Sequence, residues 1–376
     1  MMKSTNMLRM SDNPLAIAAI VTSNYLPQAM ALYSYISESN PDASYIVMLV
    51  GESDELSEDL PNGPEWIWWE RVIPDSERRI ELASEYTPFE LSCVVRGRLH
   101  HYFATMREFE KWIVMDTDTG ILSDLGPVWD TLEDSSIALI AHSKVPVGID
   151  DVIPHETNFL KCGLYNAGVV GMRRSETAIL IADWLIVRLE KYGHAYAHRV
   201  GLDLPSCNDF EFVDQIWLNL VPLYFRSATV VIDSAICNLG HWNLHEGTLH
   251  LKDEQAYFNH EKVVIAHFSG LPSYRVETVS SYSKLYIEKT SLVWAKLAED
   301  YKKRLADAII SVPSLPYSYA KIQPQRSEDS KPLQGAAELN QWSGSLVINM
   351  TRGGPLNWGK RKLQTLGRLI KKYVGI

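Results

Sequence analysis

The chain has 376 residues, of which 46% are hydrophobic and 22% charged, with a formal net charge of −10. That composition allows a sizeable core, and the acidic balance argues against nucleic acid as a general partner. No apolar run approaches the ~20 residues of a membrane span.

The first apolar run, Leu15 to Val21, is short and continuous, as in a buried strand of a parallel sheet. Thr22 to Tyr25 follow as a strand-end loop, Pro27 opens a helix, and Asn40-Pro41-Asp42 ends it. Tyr45 to Val50 is a second buried strand, so the chain starts β-α-β, with a right-handed crossover. Trp66, Trp68 and Trp69 suit a core or an edge strand better than a sugar platform. Residues 89–109 read as one helix, and Trp112 to Met115 as a strand running into Asp116. Strands follow at Ile137 to Ala141 and Leu164 to Met172. An amphipathic helix spans Ser175 to Lys191, with Ser175 as its cap. Phe212 to Leu220 reads as a short helix, Thr229 to Ile232 and Val263 to Phe268 as late strands, and Val279 to Ile310 as mostly helical.

The prolines at 313, 316, 324 and 332 mark residues 311–338 as a linker or wrap. Residues 339–376 hold seven basic residues and no acid, which leaves −17 on residues 1–338. Between Lys360 and Ile376 the apolar residues fall on one helical face, so this basic tail suits either an anionic membrane surface or docking on protein. Met1 to Asn13 lack the apolar stretch of a signal peptide. The four cysteines lie far apart, as in a reduced, cytoplasmic protein. The expected location is therefore cytoplasmic or peripheral on the membrane.

The sharpest local signal is Trp112-Ile-Val-Met-Asp116-Thr117-Asp118. Two carboxylates two residues apart stand just past a buried strand, at the edge where open α/β sheets bind ligands. They can converge on a hard divalent cation, Mn2+ or Mg2+, that also takes substrate phosphates. A solvated acidic turn is the plain alternative. A calcium loop of the EF-hand type fails, because its twelfth position would be Pro127 and not Glu. A phosphatase-like hydrolase would use Asp116 as nucleophile and Asp150-Asp151 as a distal acidic pair. Such enzymes usually carry the nucleophile on their first strand.

Further segments carry a resemblance. Tyr165-Asn166-Ala167-Gly168 resembles the (F/Y)N(S/A)G strand of family 8-like glycosyltransferases, which have a GT-A fold. Asp214-Gln215-Ile-Trp-Leu-Asn219 resembles their DQ..LN helix, and Asn238-Leu-Gly-His-Trp242-Asn243-Leu244 the N..YWNL segment of a bacterial group. His267-Phe-Ser-Gly270 resembles their H(F/Y).G strand end, and Ile20 to Leu26 the nucleotide-side opening. The resemblance spans about residues 15–275.

It implies a GT-A-like α/β fold, Rossmann-like, with a mostly parallel sheet flanked by helices. Residues 14–310 would form the catalytic domain. His267 would join Asp116 and Asp118 as a metal ligand, with Asp214 on the donor sugar and Gln215 near the anomeric carbon. The donor, a nucleotide-sugar and by preference a UDP-sugar, would meet Thr22, Asn24, Tyr25, Arg96, Asp116, Thr117, Asn166, Ala167 and Gly270. Arg98 competes with Arg96. Trp242 and His245 would face the acceptor, a glycan or lipid-linked hydroxyl, with Glu246 beside them unless that turn is only solvated. The resemblance favours retention of configuration, while Glu211 or Asp214 as a base would suit inversion. A non-catalytic nucleotide-sugar or glycan binder is the remaining alternative.

Overall fold

The computed structural model describes residues 14–52, 60–148, 152–195, 213–232, 234–271, 280, 288–312, 315 and 317–322. The chain divides after Gln325, and every described residue lies in the first unit. Asp150, Asp151, Cys207, Glu211 and the tail at 339–376 lie outside the described residues.

In chain order the first elements are β1 (Leu15–Thr22), α1 (Leu26–Ser39), β2 (Ser44–Val50) and β3 (Glu65–Trp68). Then come α2 (Trp69–Val72), α3 (Ser76–Glu85), α4 (Pro88–Val94), α5 (Arg96–Met106), β4 (Lys111–Met115) and β5 (Thr119–Ile121). The middle holds α6 (Gly126–Trp129), β6 (Ile137–Ala141), α7 (Val152–Cys162), β7 (Tyr165–Arg173) and α8 (Glu176–Tyr192). The last elements are α9 (Val221–Tyr224), β8 (Thr229–Ile232), β9 (Leu249–Lys252), β10 (Gln255–Phe258), β11 (Glu261–Lys262), β12 (Ile265–His267) and α10 (Glu288–Ser311).

Seven strands form the main sheet in the order β3-β2-β1-β4-β7-β6-β8. β7 runs antiparallel to both neighbours, and the other ladders are parallel. The fold is thus α/β, a mostly parallel sheet flanked by helices. β1 is buried on both faces, as its continuous apolar run requires. Ile17, Ala19 and Val21 face a core shared with α1 and α10. Ala16 and Ala18 face the opposite core, shared with α3, α4, α5 and α8. Trp66 and Trp68 lie on the edge strand β3, and Trp69 is fully buried. No helix among the described residues is long and apolar enough to cross a membrane.

The helix expected over 89–109 is two. Thr87 and Glu90 close a capping box on α4, and Val95, with ψ near 0°, breaks the run before α5. The segment read as a helix over 212–220 is a 3-10 helix, Gln215–Leu220. Over 279–310 the described helix begins at Glu288. Ser175 caps α8, its hydroxyl accepting from the Ala178 amide. The hairpin of β9 and β10 turns at Asp253 and Glu254, both at positive φ, where Asp-Glu lacks the glycine that marks such turns in a sequence. α3 also escaped the periodicity reading, although Asp75 caps it by accepting from two amides. Within the 311–338 stretch, Tyr319 is buried against Trp69.

α5 carries Arg96 and packs on α8 through Gly97. A Cβ there would meet the Ile186 backbone nitrogen at 2.9 Å. Gly97→Ala must therefore push two helices apart, and it is expected to cost about 1–3 kcal/mol in urea denaturation. An unchanged midpoint would mean that this contact has slack.

Candidate functional site

The site grows from two ladders. The β4–β7 ladder continues one residue past β4, where the Asp116 amide donates to the Gly168 carbonyl at 2.9 Å. β5 pairs antiparallel with β12 so that His267 lies opposite Thr119, and the Phe268 amide donates to the Asp118 carbonyl. Chain turn and register together bring Asp116, Asp118 and His267 into one cluster, with one ligand atom of each within 4.8 Å of the others. His267 is buried, and its Nε2 stands 3.1 Å from Asp118 Oδ1.

A buried guanidinium organises the floor. Arg96 Nη2 donates to Asp116 Oδ1 at 2.6 Å, and Nη1 donates to the Ala167 carbonyl. Its Nε lies 2.8 Å from Asp214 Oδ2, within ion-pair distance but not aligned as a hydrogen bond. Arg98 points elsewhere, to Glu190. Burial alone would lift the Asp116 carboxyl, but Arg96 and His267 hold it below the usual range. For Asp214 burial wins, and its pKa is raised despite Arg96. Burial opposes the charged form of His267, yet Asp118 and then Asp116 raise it above the ordinary imidazole value.

Around this floor sits an amide network. Gln215 Oε1 accepts from the Ala167 amide at 3.1 Å, and its Nε2 donates to the Cys162 carbonyl. Asn166 Oδ1 accepts from the Gly168 amide at 2.9 Å and from Asn238 Nδ2 at 2.8 Å. Thr117 offers its carbonyl to the Tyr301 hydroxyl at 3.1 Å. Thr22, Asn24 and Tyr25 lie at the carboxyl end of β1, on the same sheet edge, with Thr22 Oγ1 donating to Asn24 Oδ1. Gly270 follows β12 at a φ of 63°. Trp242 is buried edge-on to His267, their ring centres 5.1 Å apart. His245 and Glu246 hold the neighbouring loop: Glu246 Oε1 accepts from Ser143 Oγ and the Lys144 amide, and His245 Nε2 lies 2.7 Å from the Val145 carbonyl.

Sequence reasoning missed three residues here. Asn238 stood inside a segment already singled out, so its signal was available. His142, at the end of β6, has Nε2 3.2 Å from Asn166 Nδ2, and Tyr301 reaches the Asp-Thr-Asp turn from α10. Neither carries a local motif.

The cluster suits a divalent cation on three counts. Two carboxylates and an imidazole are a sound donor set for such an ion. Asp116 and Asp118 converge there, while the one guanidinium beside them, Arg96, is shared with Asp214, so negative charge is left for a cation to offset. At Gly168, moreover, a Cβ would lie 2.3 Å from His267 Cε1 and 2.8 Å from Asp116 Oδ2, so only glycine leaves the cluster room.

No family model matches the chain, and no curated protein matches it. Among solved structures it is similar to the galactosyltransferase LgtC in complex with donor and acceptor sugar analogues, at 15% identity and a TM-score of 0.44, over 82% of this chain and 99% of that one. It is also similar to the glycosyltransferase GlyE of Streptococcus pneumoniae TIGR4, at 12% identity and a TM-score of 0.41, over 78% of this chain and 63% of that one. Mouse xyloside xylosyltransferase 1 is a third, at 14% identity and a TM-score of 0.37, over 67% of this chain and 96% of that one. At these TM-scores the likeness carries no functional argument.

Gly168→Ala is expected to weaken Mn2+ binding at least about tenfold, read by electron paramagnetic resonance, while thermal unfolding shows a folded protein. Full-strength binding would remove Gly168 from the site. Binding should also depend on pH. A proton on His267 competes with the cation, and the raised pKa starts that competition above the ordinary imidazole value of about 6.5. Apparent Mn2+ affinity should therefore fall as pH drops through the raised value and level off above it. Metal-free stability has the opposite sign. The His267–Asp118 pair stabilises fully below about pH 6.5, and that contribution is lost as pH rises through the folded pKa. A pH profile unchanged in His267→Gln would exclude His267 from both effects.

Proposed function

We propose that the chain is a metal-dependent glycosyltransferase. It would transfer a sugar from a nucleotide diphosphate donor, by preference a UDP-sugar, to a hydroxyl of a glycan or lipid-linked acceptor, with retention. The observation that carries this reading is the Asp116–Asp118–His267 cluster at the carboxyl edge of the sheet. Its imidazole favours Mn2+ over Mg2+. Asp116, Asp118 and His267 would hold the ion, which would offset the charge gathering on the departing diphosphate.

The chain's own residues do the remaining work. Arg96 fixes Asp116 and Asp214 relative to each other, so the metal side and the sugar side of the site share one rigid floor. Gln215, clamped between Ala167 and Cys162, can present its amide to the sugar at a set height. Thr22, Asn24 and Tyr25 would meet the nucleotide at the end of β1, and Trp242 backs the metal-binding imidazole. The hydrolase alternative fits less well, because β4 is not the first strand and Asp116, its nucleophile, is bound by a guanidinium. We place the protein in the cytoplasm or at the membrane surface. Sedimentation of the full chain with anionic liposomes tests the part assigned to residues 339–376.

A panel of nucleotide-sugars, with and without Mn2+, should single out one donor by thermal shift. At 100 times its Kd, a ligand of the native state adds about 2.7 kcal/mol of stability. Asp118→Asn should abolish both that metal-dependent shift and donor hydrolysis while remaining folded. Full turnover in EDTA, or in Asp118→Asn, would overturn the proposal.

A further inference from the structure

Asn238 is fully buried, and both ends of its carboxamide are committed. Its orientation can be deduced from backbone donors, whose roles cannot be exchanged. The Gly168 amide can only donate, so the Asn166 side-chain atom 2.9 Å away must be the oxygen. The Ala167 amide, by the same reasoning, makes the Gln215 atom 3.1 Å away an oxygen. That oxygen lies 3.4 Å from the other end of the Asn166 amide, which is therefore the nitrogen. Two independent anchors thus agree on Asn166.

The consequence runs onward. Asn166 Oδ1 lies 2.8 Å from Asn238 and can only accept, so Asn238 presents Nδ2 to it. The opposite end, Oδ1, then faces His267 Nδ1 at 3.2 Å. The backbone of Asn238 is pinned as well. Asn243 Nδ2 donates to its carbonyl, Asn243 Oδ1 accepts from the Gly240 amide, and the next residue, Leu239, exchanges hydrogen bonds with Ile265 and His267.

We propose that Asn238 is a positioning residue that holds neutral His267 in the tautomer protonated on Nδ1, through a relay that begins at the Gly168 and Ala167 amides. Nε2 then carries its lone pair toward Asp118 Oδ1, 3.1 Å away. Two acceptors facing each other at that distance require a cation or a proton between them, so the relay turns the imidazole into a ready metal ligand. Outer partners of this kind commonly change metal affinity 10–100-fold. The same relay joins the metal ligand to Asn166, a residue expected to meet the donor, without passing through the metal. The inference rests on the reading of Asp116, Asp118 and His267 as a metal site.

The test has two arms on the full-length protein. In the first, long-range proton–nitrogen spectra of metal-free protein labelled in histidine are recorded at alkaline pH, with His267 assigned by its loss in His267→Gln. A proton on Nδ1 is expected, and a proton on Nε2 overturns the relay. This arm needs neither metal nor turnover, so it decides the relay even if the wild type binds no Mn2+, a result that would sink the metal-site reading by itself. In the second arm, Mn2+ affinity is measured for Asn238→Leu and Asn238→Asp. Leucine offers no acceptor and should weaken binding about 10–100-fold. Aspartate still accepts from Nδ1 but sets a second acceptor against Asn166 Oδ1, so its loss should be smaller than leucine's, below about tenfold. Wild-type affinity in Asn238→Leu, or equal loss in both folded variants, would overturn the proposal. If Asn238→Leu does not fold, the spectra decide.

Discussion

Everything at this site hangs on one buried cation. Asp116 and Asp214 come from distant parts of the chain, and each would be costly to hold so close to the other inside the protein. Arg96 stands between them, with its Nη2 on Asp116 and its Nε beside Asp214. Removing one member of such a group leaves an uncompensated charge, a loss commonly worth about 3–5 kcal/mol. The guanidinium also donates to the Ala167 carbonyl, which fixes the strand whose next residue, Gly168, gives the Asp116–Asp118–His267 cluster its space. Charge, strand position and cavity are therefore one problem with one solution.

Much of this was legible in the sequence where the signal is local. A short apolar run ending in Asp116-Thr-Asp118 marks a strand edge with converging carboxylates, and the structure has β4 and the turn to β5 there. Ser175 before an amphipathic run marks a helix start, and it caps α8. Arg96 and Arg98 could not be separated by local pattern. Both lie on α5, and only the packing of that helix sends one to Asp116 and the other to Glu190. Asn238 and Tyr301 matter because of pairings between segments far apart in the chain, and no periodicity encodes those. Asn166 is expected to meet the donor, and the structure adds what the sequence could not, that its oxygen accepts from Gly168 and Asn238. A sequence reports which groups are polar, not which of them are already satisfied.

The architecture also explains why a glycine and several amides sit where a reader looks for charges. The charged groups supply attraction for a cation, but attraction alone does not fix a geometry. Direction comes from groups that can hydrogen-bond in only one sense. Backbone amides on β7 are such groups, and they lie beside the Asp116 turn because the β4–β7 ladder extends past the end of β4.

The hydroxyl of Tyr301 reaches the Thr117 carbonyl across 184 residues of chain. Its helix, α10, is also tied to α1, where Arg304 meets Glu38. During translation the strands β1 to β4 leave the ribosome early, whereas β12 and α10 emerge much later. The carboxylates of the Asp-Thr-Asp turn are thus made long before the imidazole and the phenol that complete their surroundings. A nascent or prematurely released chain would hold an acidic turn with neither that imidazole nor that phenol beside it. The Asp116–Asp118–His267 cluster therefore comes together only in a chain made through β12, and its turn gains the Tyr301 contact only in one made through α10.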